Sequence, residues 1–424
     1  YDATRKTAAL RDAAASLRLE WFLPELSVTF AAPGREPRPG EPIPQPEPNL
    51  HGTPRETCRL CAECCFGCNH GSKNSLDLNY LSAAARLGAE IRPLCEVREL
   101  RPRDGGGYVV RYVEHDLARE GRSTATHDTS VLPLRTVTAD QLLLAAGTFG
   151  STYLLLRNRA SLPGLSETLG DGFSVNGDFL AFAVKCSTRT PWGRRRRVVE
   201  ADVGTAITSA VRIPAQRPED ADSYVEDMGY PAFLSWLLQI VDVENAVQVA
   251  RRVLPRVVCD RFFGRTGRLD ADVASLFGSS ALSASLLPMI GVGRDAGGGM
   301  LALRRDRLVA VWDQERSAPY YRRALGMARA LATALGARYW DTHRRAPVTM
   351  HPLGGCPMGT SAQDGVVDSY GEVFNHPGLF IADGSVMPAP IGVNPSLTIA
   401  AVADRTADRM LGLAPAAAPA GGGG

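Results

Sequence analysis

The 424-residue chain has no run of 18 or more apolar residues, so no membrane-spanning helix is expected. The longest apolar candidate, residues 231–241, is short and is followed by Asp242 and Glu244. There is no excess of one charge. Lys plus Arg number 47 and Asp plus Glu 45, a net +2, which gives no drive towards a nucleic-acid partner. There is no disulfide framework either: five of the nine cysteines fall between Cys58 and Cys68, and Cys95, Cys186, Cys259 and Cys356 are scattered. That usage fits a reducing compartment, and the cytoplasm is the expected location. No G-x-S-x-G occurs, so a serine hydrolase is not supported. What is present is ordinary for a globular protein, with 45% hydrophobic and 22% charged residues. The length exceeds one small domain. The chain opens at Tyr1, already in a helical pattern, and reads as starting inside a longer protein.

Residues 3–21 have helical apolar spacing, with Thr4 as a cap. Seven prolines in the sixteen residues 33–48 forbid a helix or central strand there and predict an extended segment. A helix is expected at 76–87. Strands are expected near Ile91 and at 95–100, 108–113 and 141–145, with a glycine turn at 104–107. The run QLLLAAG is apolar throughout, as in a strand buried on both faces, and a helix should follow at 151–159. Strands at 179–184 and 203–207, an amphipathic helical region at 233–253 and a helix at 320–337 fill the middle of the chain. Arg194 to Arg197 read as a solvated basic run. The stretch Phe233, Leu234, Trp236, Leu237, Leu238, Ile240 reads first as core; its sharper reading is a substrate lid or a peripheral membrane contact. The glycine-rich tail 414–424 is expected to be disordered.

Three elements near the C-terminus carry chemistry. They are His351-Pro352-Leu353-Gly354-Gly355-Cys356, a strand at 379–382 ending in Asp383-Gly384, and Asn394-Pro395-Ser396-Leu397 opening a helix to about Met410. Asn394 suits an N-cap and Pro395 the first helical position. The first-turn N–H groups and the helix dipole favour negative charge beside them. An acidic residue and a glycine at a strand's end sit where open α/β sheets bind ligands. Alone, each piece has a bland reading: Asp-Gly as a turn, and a histidine before proline as a structural residue.

Together these elements resemble the C-terminal signature of the glucose–methanol–choline (GMC) oxidoreductases, nearest the cholesterol-oxidase-like branch. HPLGGC, LFIADGSVMP and GVNPSLTIAAVADRTADRM carry the resemblance. So do QLLLAAGTFGSTYLLLR, LPGLSETLGDGFSVNGD and the cysteine-rich CRLCAECCFGCNHGSKNSLDLNYLSAAARLGAEI, and together they cover about residues 55–411. The resemblance implies an α/β (α+β) protein: a Rossmann-type FAD-binding domain, incomplete at its N-terminus, with an inserted substrate-binding domain on a mixed or antiparallel sheet. The FAD domain would be 55–175 with 346–413, the substrate domain 176–345, and 1–54 a helix and linker. It implies FAD-dependent oxidation of a CH–OH group of a lipophilic, sterol-like or long-chain alcohol, with oxygen or an electron-acceptor protein as partner. His351 would take the hydroxyl proton, and Asn394 would orient substrate and flavin. Val97, Ala146, Gly147, Asp383, Gly384, Pro395, Ser396 and Leu397 would contact FAD, and Asn176 and Gly177 would wall the site. A histidine suits the proton transfer because its pKa lies near neutrality. Two departures stand out. The family's G-x-G-x-x-G turn is absent, which reads as N-terminal truncation. No glutamate lies between Glu244 and Glu315, so the branch's substrate-domain base has no counterpart.

Cys58, Cys61, Cys64 and Cys68 have the C-x-x-C-x-x-C-x-x-x-C spacing of bacterial ferredoxins, with Cys65 extra. An iron–sulfur cluster, a structural zinc ion and small buried thiols without metal are all open readings. The first would give a second function: an electron-transfer protein that kept the fold and lost alcohol oxidation.

Overall fold

The structure is a computed structural model that describes residues 1–116, 129–217, 220–234, 283–343 and 348–413. The amphipathic region at 233–253, Cys259 and the tail 414–424 lie outside the described residues, apart from Phe233 and Leu234. No described helix is long and apolar enough to cross a membrane. The chain divides into two compact units. Among the described residues helices combine with antiparallel sheets and one parallel strand pair, a mixed α/β protein.

The first unit comprises Tyr1–Glu90, Phe179–Gly291 and Arg322–Val348. Its centre is a six-stranded sheet in the order Trp21–Phe22, Ile207–Ile213, Ser223–Met228, Leu287–Val292, Phe179–Val184, Arg338–Asp341. The sequence FLAFAV alternates in burial, with Phe179, Ala181 and Ala183 inward, because successive strand side chains face opposite sides. Its partner strand runs antiparallel and sets Gly291 opposite Phe179. A Cβ on Gly291 would lie 1.9 Å from the Phe179 ring, so glycine there is what admits the aromatic. The helix Arg5–Ser16 buries Lys6, Ala9, Leu10, Ala13 and Ala14, spaced by one helical turn. It stops at Ser16, short of the expected Trp21. Arg18 takes a left-handed φ of 56°, and Trp21 and Phe22 join the sheet edge opposite Val211 and Ala210. The proline-rich segment is extended, and Pro42–Ile43 makes a two-residue ladder with Arg55–Glu56. Arg194 to Arg196 form an exposed hairpin strand against Ser187–Thr190, a solvated face as their charge suggests.

The second unit comprises Ile91–Asp178, Val292–Tyr321 and the chain from Thr349 on. Cys95–Pro102, Tyr108–Glu114 and Arg135–Ala139 form an antiparallel sheet. Ile91 lies outside any strand. Leu142–Leu144 and Leu379–Ile381 pair in parallel. Leu144 is buried but Leu143 is 42% exposed, so this strand is not covered on both faces by the described residues. The helix Gly147–Arg157 follows at once, and the helix Ser396–Met410 ends the described chain. Leu100, Leu144, Leu155, Leu162, Cys356 and Ile381 are among the residues that share the core. Met300–Arg304 and Arg307–Val311 make a hairpin whose turn residues, Arg305 and Asp306, both have positive φ. Two such residues match the twist of a tight hairpin without a glycine to announce it.

Candidate active site

The site is assembled in the second unit by backbone pairing between segments far apart in sequence. Ser174 and Leu353 exchange both backbone hydrogen bonds at 3.0 Å, which sets Ser174–Asp178 beside the HPLGGC segment. Gly354 N and Cys356 N donate to the carbonyls of Gly384 and Ser385 at 3.0 and 2.9 Å, which docks HPLGGC on the Asp383-Gly384 turn. Gly354 has φ +82° and Gly355 φ +104°. A Cβ on Gly354 would come within 2.1 Å of Gly172 O, and one on Gly355 within 2.3 Å of Thr152 Oγ1. Both positions therefore need glycine for conformation and for space.

His351 lies at the start of this weave. Its Nδ1 is 2.9 Å from Asp178 Oδ1. The side chains are 16% and 1% exposed. The other Asp178 oxygen accepts from Met350 N at 2.7 Å, His351 N at 3.1 Å and Thr349 Oγ1 at 3.1 Å. Asp178 was not singled out in the sequence, where it is separated from His351 by 173 positions; SVNGD carried only Asn176 and Gly177 as candidates.

Asn176 is fully buried, with φ +53°. Its Nδ2 donates to Val393 O and its Oδ1 accepts from Gly392 N, both at 2.8 Å. It thus pins the segment that leads into Asn394. Gly177 is packed against Gly293 O and the Tyr320 hydroxyl, leaving no room for a Cβ. Asn394 is exposed. The helix begins one residue later than expected: Pro395 is its N-cap, no side chain caps it, and Ser396 is the first helical residue. Ser396 is exposed and Leu397 is 81% exposed.

Asp383 ties two turns together. Its Oδ2 accepts from Gly147 N at 2.9 Å and Ser151 Oγ at 2.5 Å, and its Oδ1 from Ser385 N at 2.8 Å. Gly384 is buried, and a Cβ there would meet Thr148, Pro352 and Ile399 at 3.2–3.4 Å. Ala146 is exposed at the turn into the helix Gly147–Arg157, and Gly147 has φ +76° with open space where a Cβ would be. Val97 is half-buried in the antiparallel sheet opposite Tyr112.

The cysteine segment belongs to the first unit. Cys58, Cys61, Cys64 and Cys68 line one pocket with His70 and Lys73, and Cys65 is exposed. Burial pushes the Cys58 and Cys61 thiols up. At Cys68 burial acts the same way, but hydrogen bonds from the Lys73, His70 and Ser72 backbone and the Ser72 hydroxyl outweigh it and pull the thiol down. Among the described residues no three His, Cys, Asp or Glu side chains are gathered to hold a metal ion. The ferredoxin-like spacing of Cys58, Cys61, Cys64 and Cys68 therefore does not fold into an assembled iron–sulfur or zinc ligand set. The segment's backbone is held by other partners: Cys58 N donates to Thr29 O, Ala62 N to Gly204 O, and Gly204 N to Leu60 O.

Parts of the chain match known proteins. Residues 298–403, which include the hairpin, HPLGGC, the Asp383 turn and the first half of the last helix, match the family model described as GMC oxidoreductase. Over 402 residues the chain is 29% identical to the cholesterol oxidase of Mycobacterium tuberculosis, covering 91% of this chain and 64% of that one. A 65-residue stretch is 43% identical to a long-chain-alcohol oxidase of Arabidopsis thaliana, 15% of this chain and 8% of the relative. The structure of an FAD-dependent oxidoreductase from Chaetomium thermophilum aligns with a TM-score of 0.47 and 15% identity, over 80% of this chain and 64% of that one. The chain thus spans under two thirds of the length of the cholesterol oxidase it matches. Residues 298–403 thus carry the match to the GMC oxidoreductase family model, and along nine tenths of its length the chain is similar to a cholesterol oxidase.

Proposed function

We propose that the chain takes part in FAD-dependent oxidation of a CH–OH group, with His351 as the group that removes the hydroxyl proton. The observation that carries this reading is the His351–Asp178 contact, which occupies Nδ1 and leaves Nε2 as the ring nitrogen able to take a proton. The names of the relatives, a cholesterol oxidase and a long-chain-alcohol oxidase, favour a lipophilic alcohol as substrate and oxygen as acceptor.

The residues present fit a dinucleotide in two places. The turn at Ala146 and Gly147 is open, and the first turn of Ser396–Met410 is exposed and has no side-chain cap. Ala146 and Gly147 would border FAD at the open turn, and Ser396 and Leu397 would hold it through first-turn N–H groups beside Pro395. Val97 would border the adenine. Asp383 and Gly384 would shape the ribityl and pyrophosphate end from the strand termini they join. Bound FAD would supply the acceptor for the hydride that leaves the alcohol carbon. The uncapped N–H groups of the last helix favour negative charge at their end. Asn394, held in place by the Asn176 clamp on Gly392 and Val393, would orient the alcohol oxygen through its amide without titrating. His351 Nε2 would accept the hydroxyl proton as the hydride departs, a step that positioned bases accelerate by about 10²–10⁴-fold.

The test is His351→Gln in the flavin-loaded protein. Flavin reduction by alcohol should slow by about 10²-fold or more. An unchanged rate would remove His351 from the reaction.

A further inference from the structure

We infer that Asp178 is a positioning residue for the proposed oxidation: it fixes His351 in the tautomer whose Nε2 lone pair takes the substrate proton. The inference rests on the reading of His351 as the base, but its geometry stands independently of any alcohol.

Asp178 is buried and receives four contacts from donors: three at Oδ2, from Met350 N, His351 N and Thr349 Oγ1, and the His351 ring at Oδ1. An ionised carboxylate only accepts hydrogen bonds. Nδ1 of His351 must therefore carry the proton, and the neutral ring keeps its lone pair at Nε2. The bond from His351 N and the ring contact come from the same residue, so the carboxylate fixes the imidazole's orientation as well as its tautomer. A carboxylate behind a histidine is a general way to orient the ring and stabilise the cation that forms when it takes a proton.

The carboxylate is held in turn. Gly177, next to it, takes a hydrogen bond from the Tyr320 hydroxyl on its carbonyl at 2.8 Å, and its N–H points to Asp295 Oδ2 at 3.4 Å. Asp295 also accepts from Ser174 Oγ at 2.8 Å and Val175 N at 3.2 Å. Tyr321 is the other titratable neighbour. Burial first, then the charges of Asp295 and Asp178, push its hydroxyl well above the ordinary phenol range. Tyr321 thus stays neutral and does not compete for the His351 proton.

The two backbone donors at Oδ2, Met350 N and His351 N, make the Asp178→Asn variant informative. They require an oxygen at that position, so the amide nitrogen must take the Oδ1 position and present N–H groups to His351 Nδ1. The ring is then expected to switch to the Nε2–H tautomer, which cannot accept the substrate proton. The experiment is nitrogen NMR of the full chain with labelled histidine, at a pH above the ordinary histidine value, with His351→Gln assigning the signal. The wild type should show Nδ1–H with an unprotonated Nε2. Asp178→Asn should show the reverse, and flavin reduction by alcohol should fall by about 10²-fold or more with little change in KM. Three results would overturn the inference: Nε2–H in the wild type, an unchanged tautomer in Asp178→Asn, or a switched tautomer with an unchanged rate. The wild-type tautomer is read without Asp178→Asn, so a misfolded Asp178→Asn protein would not remove the test. The tautomer is read without alcohol, so its failure and the failure of the alcohol-oxidation reading are separate results.

Discussion

Single residues in this chain do more through backbone geometry than through exposed chemistry. His351 was legible because histidine, proline and two glycines stand together. Asp178 was not, because what makes it matter is a backbone bridge between Ser174 and Leu353 that no local pattern announces. Gly354 illustrates the same point. Its φ of +82° and the 2.1 Å approach of Gly172 O leave no room for a methyl group. Gly354→Ala should lower stability by several kcal/mol, about 3 or more from combined strain and overlap, seen as a lower thermal midpoint. His376 gives a pH prediction. It is 4% exposed, and its Nε2 has no hydrogen-bond partner. Burial lowers its pKa below 6.5, against a backbone hydrogen bond with Pro163 that raises it. The unfolded chain then binds the proton more readily than the folded one. Stability contributed by the neutral ring is complete above about pH 6.5 and is lost as pH falls from there through the lower folded value. A denaturant series between pH 7 and pH 5 should show this slope in the wild type and a flatter one in His376→Gln. Equal slopes would exclude His376 as its source.

At the level of elements, the periodic segments were readable and their ends were not. The first helix was expected to reach Trp21, but a sheet edge competes for that residue and wins it. The last helix was expected to take Pro395 as its first residue, yet Pro395 is its N-cap, a position from which proline makes no side-chain cap bond. The hairpin Met300–Val311 had no glycine turn to mark it. The first helix also hides an ion pair. Lys6 Nζ is 3.3 Å from Asp227 Oδ1, and both side chains are fully buried. Asp227 also accepts from Thr208 N, Ser209 N and Ser209 Oγ, so it is satisfied without the lysine. Burial lowers the Lys6 pKa, with Asp227 opposing. Removing the carboxylate strands a buried cation. Asp227→Ala should therefore destabilise the protein by about 3–5 kcal/mol, while Lys6→Met, which removes the cation and keeps the volume, should cost distinctly less. Equal losses in chemical denaturation would contradict this asymmetry.

At the scale of the molecule, the chain is two units, each stitched from three separate stretches of sequence. The antiparallel sheet of one and the parallel pair of the other were foreshadowed in part by the strand-like stretches at 179–184 and 141–145. The assignment of stretches to units was not, since domain membership depends on pairing across hundreds of residues. The cysteine spacing shows the opposite limit, a strong sequence signal whose backbone is bound elsewhere in the fold. The central proposal is that His351 of this chain removes a hydroxyl proton while a flavin takes the hydride. Its most direct test is the absorbance of the flavin-loaded chain under anaerobic conditions as a sterol or a long-chain alcohol is added. The account predicts that the flavin band bleaches in the wild type and bleaches about 10²-fold more slowly in His351→Gln. A band unchanged by every alcohol, or one that bleaches equally fast in both proteins, would contradict it.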